Sequence, residues 1–440
     1  MNSGEPGQLI VVIGGGVAGL TAATFLAKAG HQVRLVEQAH ELGGRARTKE
    51  EAGFYLNIGP HALYRSGPGF AILKELGVEP RGSIPPVSGG FAIRGGVKHT
   101  LPAGVVSLLT TGMFGLSAKL ETARFLGSLG KRDPGPWMNT SVREWADSEL
   151  HQEPVRELIL ATLRLATYTN APDLMSAGAA LSQLEKALAR GVLYLDRGWQ
   201  TLVEGLAGAA RAAGVSIETG IKTELIERDA AGCVAGVRLA DGRLIRCSNV
   251  VIASPPLVAA NLVDRGDETS LAKWAAESTP VKAACLDVAL RRLPVPKATF
   301  ALGIDSPLYL SVHSAAAKLA PEGSALIQTA KYLPLDHAGR AEDDELELEN
   351  LLDLVQPGWR SEIVYRRFLP EMVVMNAMAS TQTSGTINRP GPRVEEVPGL
   401  FVAGDWVGPE GLLVDASLAS AKLAAELMTS EHRVAATAAF

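Results

Sequence analysis

Val11-Val12-Ile13-Gly14-Gly15-Gly16-Val17-Ala18-Gly19-Leu20, followed at the right distance by Glu37, decides the fold of this 440-residue chain. Apolar β-formers run into a glycine cluster, an Ala-rich helical pattern continues to Ala29, and Gly30 stops it. Gly14 lets the chain turn sharply out of the strand. Gly16 bares the backbone for the close approach of a pyrophosphate, and Gly19 lets the helix pack tightly on the strand. The amino end of that helix, at Val17 and Ala18, turns free N–H groups and a positive dipole end toward phosphate charge. Residues 31–36 read as a second strand. Glu37 then falls where a carboxylate accepts from both ribose hydroxyls and repels a 2′-phosphate. Together these residues predict a βαβ unit that holds a dinucleotide.

The continuation Leu42-Gly43-Gly44-Arg45 says which dinucleotide. Two more glycines and a fixed cation just past the ribose acid suit a longer cofactor, FAD, whose pyrophosphate and ribityl chain need cover. A second segment, Gly399-Leu400-Phe401-Val402-Ala403-Gly404-Asp405, reads as another buried strand. It leads through the turn Gly408-Pro409-Glu410-Gly411 into a small-residue helix over 413–428.

With these residues in view the chain resembles the superfamily of flavin-containing amine oxidases, phytoene desaturases and protoporphyrinogen oxidases. The resemblance is strong over residues 8–66, 198–256 and 396–428, loose between them, and nearest to the phytoene desaturase-like members. It implies FAD, held without a covalent bond, since no cysteine lies near residues 370–410. It directs the Asp405 carboxylate, after Gly404, toward ribityl or phosphate oxygens. Residues 221–224 would give backbone contacts to adenine, with Thr223 where valine is usual, and Ser254 joins the cofactor-binding set. Gly59, Pro60 and His61 would lie against the flavin, with Asn57 where the family has aspartate. Gly411, Leu412 and Leu413 would present a helix amino end to the flavin's pyrimidine side and stabilise the reduced anion. His61, with an ordinary pKa near 6.5, and Lys282, near a lysine that bridges water to flavin N5 in amine oxidases, are the catalytic candidates. Tyr168 and Phe368 are candidates for the pocket wall.

Composition bounds the alternatives. Net charge is −5 with basic residues scattered, which excludes a nucleic-acid surface. The three cysteines, Cys233, Cys247 and Cys285, are widely spaced and odd in number, so neither a disulfide scaffold nor a zinc site is expected. The eight histidines show no metal-ligand spacing. Residues 1–9 lack the cationic start and apolar core of a signal peptide. A cytoplasmic location follows as the expectation, peripheral on the inner face of the membrane if one apolar stretch meets lipid. That stretch is residues 101–118, free of charge and followed by charges alternating with leucines to residue 129. Pro102, Gly104, Gly112 and Gly115 make it a poor spanning helix. Two readings stand: a buried helical part of the substrate domain, or a surface that dips into lipid to collect an apolar substrate.

The fold class expected is α/β: a two-domain FAD-binding Rossmann-type fold with an interwoven α+β substrate domain. Residues 1–82, 198–265 and 385–440 are assigned to the FAD-binding domain, and 83–197 and 266–384 to the substrate domain. Within these, residues 220–243 read as a β-hairpin with an Asp241-Gly242 turn, and the acidic run 342–349 as a solvated helix face. Aromatic residues are only 5% of the chain, and Gly411-Leu412-Leu413 stands where amine oxidases carry an aromatic cage residue. An apolar pocket without an obvious acid–base array points to dehydrogenation of a hydrophobic substrate, isoprenoid or carotenoid-like, by hydride transfer to flavin N5, with oxygen or a quinone as electron acceptor. A protoporphyrinogen-type oxidase, an amine oxidase and a catalytically silent flavoprotein scaffold are the alternatives.

Overall fold

The computed structural model describes residues 9–86 and 89–438. The readings of residues 1–8 as free of a leader, and of Val87 as the start of a new pattern, lie outside the described residues. Strands β1 (Ile10–Ile13) and β2 (Val33–Glu37) flank helix α1 (Val17–Lys28). They sit in a five-stranded, wholly parallel sheet with Ser216–Thr219 outside β2, and Asn249–Ile252 then Leu400–Val402 on the far side of β1. Both faces of such a sheet must be covered, which is why β1 and Asn249–Ile252 are apolar and buried along almost their whole length. One face packs on α1, the helix Gln200–Ala212 and the C-terminal helix Leu413–Ala438. The other packs on a small antiparallel sheet. That sheet is a three-stranded meander, Thr223–Arg228, Val234–Leu239 and Leu244–Arg246, rather than a single hairpin. The Asp241-Gly242 turn joins its last two strands, and a second turn at 229–233 joins the first two.

A seven-stranded mixed sheet forms the other half of the molecule. Its long strands, Val281–Leu290 and Ile363–Met375, pair antiparallel with register shifts that bend them locally. The helices Glu153–Thr167 and Ala177–Arg190 cover one side and Ala341–Val355 the other. Two expectations are corrected here. The acidic run is not wholly solvated: Asp344 is buried, bonded to Lys331 and His337 at 2.8 Å each. Residues 101–118 are not one buried helix. They form a short helix, Val105–Thr110, and lead into another, Leu116–Ser128. Leu108, Met113 and Phe114 face inward, while Val105, Val106, Leu109 and Leu116 are 64–77% exposed. No helix among the described residues is long and apolar enough to cross a membrane.

Candidate active site

The carboxyl ends of β1, Asn249–Ile252 and Leu400–Val402 open onto a cavity of about 550 Å³, where the strand order of a parallel sheet reverses and ligands bind. Its floor is made by the glycine turn. Gly14 takes φ +107° and approaches Ala253, and a Cβ on Gly19 would stand 1.9 Å from the Gly14 carbonyl oxygen. Both glycines are therefore required by packing. Gly16 differs: its Cα faces open space, with the nearest atom to a built Cβ 3.9 Å away. It is also the N-cap of α1, with no side chain satisfying the helix amino end. Gly43 N donates to Gly15 O at 2.8 Å and draws the Gly43-Gly44 turn over that gap. Glu37 lines the cavity, its carboxylate aimed by backbone donors, Gly15 N at 2.6 Å and Ala39 N at 2.7 Å, with lone pairs to spare.

At the far end Arg45 Nη1 donates to Asp405 at 2.8 Å and to the Val374 carbonyl at 3.0 Å, joining residues 360 positions apart. Asn376 adds a backbone and a side-chain donor to the same carboxylate at 3.0 and 2.8 Å. Burial works to raise the Asp405 carboxyl, but Arg45 and Asn376 outweigh it and hold it below the ordinary carboxylate range. Val17, Arg45, Ala46, Ile58, Asp405 and Ser417 also line a second, smaller chamber of about 90 Å³, so the two spaces adjoin. Pro60, His61, Tyr168, Trp199, Met372, Leu413 and Val414 enclose it, with His61 the one imidazole on its wall among the described residues.

His61 Nδ1 bonds the Gly59 carbonyl at 2.9 Å, and its ring stands edge-on to Trp199 at 4.8 Å. Burial dominates its titration and pushes its pKa down to about 4, so the ring is neutral at physiological pH. The Gly59 carbonyl is held in turn by Gln328 Nε2 at 3.0 Å. Gln328 also bonds Asp287 at 3.1 Å, and Asp287 pairs with Arg367, which donates to the Asn57 carbonyl. The side chain of Asn57 faces away from the chamber and accepts from Thr48 Oγ1 at 2.7 Å and Trp199 N at 3.0 Å. Its role is to seat Trp199.

The sequence candidates thus divide by position. Gly14, Gly16, Val17, Ala18, Glu37, Gly43, Gly44, Arg45, Thr223, Ser254, Gly404 and Asp405 line the larger cavity. Pro60, His61, Tyr168 and Leu413 line the chamber. Gly19 and Gly59 act from behind, one by packing and one through its carbonyl. Gly411 and Leu412 line neither space; the Gly411 carbonyl accepts from Arg389 at 2.9 Å. Leu413 begins the C-terminal helix at φ +56°, a conformation uncommon for a branched side chain. Lys282 is the clear correction. Val281–Leu290 turns its alternate residues Ala283 and Cys285 toward Tyr168 and Met372, whereas the Lys282 amine pairs with Glu371 at 2.8 Å and is 36% exposed. It does not reach the chamber. Phe368 likewise packs into the core beneath Ala341–Val355. Asn376, Trp199 and Met372 were missed: each reaches the site through the curvature of paired strands or a neighbouring turn, for which no local motif exists.

FAD fits these residues on three observations. Gly16 and the uncapped amino end of α1 leave a bare cradle for a pyrophosphate. Thr223 Oγ1 and Ser254 Oγ are buried hydroxyls without partners on the cavity wall, groups that a native protein leaves unmade only where a ligand or water completes them. Glu37 is aimed by the backbone at the ribose position. These features define a dinucleotide-binding flavoprotein. Residues 17–429 match the sequence profile of the family described as flavin containing amine oxidoreductase. The chain belongs to that family. An L-amino-acid oxidase of Pseudechis australis is 52% identical to it over 56 residues, 12% of this chain and 11% of that protein. The match to the curated relatives thus spans only about a tenth of their length. Among solved structures, an oxidoreductase from Methanosarcina mazei superposes with a TM-score of 0.75 at 20% identity, covering 96% of this chain and 100% of that one. Cyclohexylamine oxidase from Brevibacterium oxydans gives 0.69 at 19%, covering 97% and 100%. At such identities the likeness is one of fold.

Proposed function

We propose that this oxidoreductase dehydrogenates an apolar substrate held in the chamber beside His61. The observation that carries the reading is the chamber wall. Ile58, Pro60, Ala62, Trp199, Met372, Val374, Leu413 and Val414 surround one neutral imidazole, and the charged pair Arg45–Asp405 is closed on itself. When bound, the flavin supplies two-electron oxidation by accepting a hydride. The protein's share is to place the substrate carbon, exclude water and leave the leaving proton to a neutral acceptor. His61, neutral on that wall, is the group placed to meet that need. The flavin is held without a covalent bond: Cys233 and Cys247 do not line either cavity, and Cys285 is enclosed in the core. The exposed leucines and valines of Val105–Thr110 and Leu116–Ser128 serve as the lipid-facing surface from which such a substrate is collected. Oxygen or a quinone takes the electrons.

Amine oxidation is the second reading, favoured by one observation. Tyr168 and Trp199 both bring aromatic rings to the chamber although Leu413 replaces the ring expected beside the closing helix. Anaerobic titration of the flavin-loaded protein with phytoene, protoporphyrinogen and cyclohexylamine separates the cases. Bleaching by an apolar non-amine supports the first reading, and bleaching by the amine alone replaces it with the second. Flavin unbleached by the whole panel removes the choice of substrate, and a silent scaffold then takes its place.

A further inference from the structure

Arg367, Asp287 and Gln328 form one polar row across three neighbouring strands of the seven-stranded sheet, behind the turn that carries His61. Asp287 on Val281–Leu290 stands directly opposite Gln328 on Ala325–Tyr332 and directly opposite Arg367 on Ile363–Met375. Residues paired in register share a face of the sheet, so the three side chains meet. Asp287 and Gln328 are fully buried. Asp287 Oδ2 accepts from Arg367 Nε at 3.1 Å and Nη2 at 2.5 Å, and its Oδ1 accepts from Gln328 Nε2 at 3.1 Å. The two ends of the row each hold a carbonyl of the turn. Arg367 Nη2 donates to Asn57 O, and Gln328 Nε2 gives its second hydrogen to Gly59 O at 3.0 Å.

Both partners of the Gln328 nitrogen are acceptors, so the amide cannot be turned over. Its Oε1 is left buried without a partner. A leucine of similar size would avoid that cost, and stability alone therefore does not call for glutamine here. The Gly59 carbonyl has two lone pairs, and it also accepts from His61 Nδ1 at 2.9 Å. A carbonyl cannot donate, so that nitrogen carries the proton of the neutral ring. The Arg45 carbonyl is a second, weaker acceptor for the same ring. Two carbonyls thus compete for one proton, and Gln328 fixes the one at Gly59 from behind.

We propose that Gln328, braced by Asp287 and Arg367, is a positioning residue for His61: it fixes the Gly59 carbonyl, keeps the imidazole proton on Nδ1 and leaves the lone pair on Nε2. Without that amide the proton passes to Nε2 and the Arg45 carbonyl, and the lone pair lies on the Gly59 side. The consequence for catalysis rests on the reading of His61 as the group that takes the substrate's proton.

Nuclear magnetic resonance of the flavin-loaded protein with nitrogen-15-labelled histidine, at neutral pH, reads the tautomer directly, and His61→Gln identifies the signal. The parent should show His61 in the Nδ1–H form. Gln328→Leu should move it to the Nε2–H form, and Gln328→Asn, which keeps the amide but shortens its reach, should give a mixture. Thr329→Val removes a buried hydrogen bond on the opposite face of the same strand. It should lower the melting temperature without moving the signal, which separates positioning from mere stability. With a compound that bleaches the flavin, Gln328→Leu should slow reduction roughly tenfold or more. The double variant Gln328→Leu/His61→Gln should be no slower than His61→Gln alone. A parent ring protonated on Nε2, or an Nδ1–H form that survives Gln328→Leu, would overturn the proposal. A tautomer that moves while reduction stays at the parent rate would uphold the positioning and remove His61 as the proton acceptor.

Discussion

At Gly19 a Cβ would meet the Gly14 carbonyl oxygen at 1.9 Å, and both atoms belong to backbone that cannot yield. Gly19→Ala should therefore expel the helix from the sheet, costing about 1–3 kcal/mol or more by overpacking; a lowered melting temperature and loss of bound flavin are the checks. Glu37→Ala should spare the fold but weaken FAD roughly ten- to hundredfold, since charge-assisted bonds to two hydroxyls are lost. Fluorescence titration with FAD measures this directly. His61, with a pKa near 4, is neutral throughout the usual assay range. The rate should accordingly show no limb near pH 6.5 that vanishes in His61→Gln. Asp415 is a contrasting case. It is wholly buried, accepts from Gly69 N at 3.0 Å, and burial raises its pKa to about 6. Between its unfolded value and 6 the folded chain binds the extra proton, so its contribution is present in acid and lost as pH rises through 6. Asp415→Asn should match the parent below pH 4 and exceed it above pH 6, by on the order of 2 kcal/mol. Melting curves across that range decide it.

Elements reached the same site by different routes. α1 and β2 follow from apolar period and glycine spacing alone, because every constraint on them lies within 30 residues or so. Val105–Thr110 and Leu116–Ser128 show the limit of that logic. An uncharged run reads as core, yet proline and glycine break it into pieces too short to bury both faces, and leucines are left outside. If that face meets lipid, Val106→Asp together with Leu116→Asp should abolish co-sedimentation with phosphatidylglycerol vesicles and leave the melting temperature unchanged. Equal sedimentation of parent and variant would refute the contact. In Val281–Leu290, the strand was legible but its facing was not. A strand alternates sides, and a shift of one residue moved Lys282 from the chamber to an ion pair with Glu371.

Across the whole molecule, Arg45 and Asp405 close the chain on itself, and the parallel sheet draws strands from residues 10, 33, 216, 249 and 400 into adjacent places. The sequence by itself determined the dinucleotide unit, its flavin preference and the cavity-lining residues Gly16, Glu37 and Arg45, while Asp405 came from the family resemblance. Backbone conformation and short-range spacing carry that information, and both are written locally. The chamber wall, the seating of Trp199 by Asn57, the stray position of Lys282 and the polar row behind His61 came only from the tertiary structure. Each depends on which face of a curved strand or irregular loop meets a distant neighbour, a matter of packing between segments that share no local pattern.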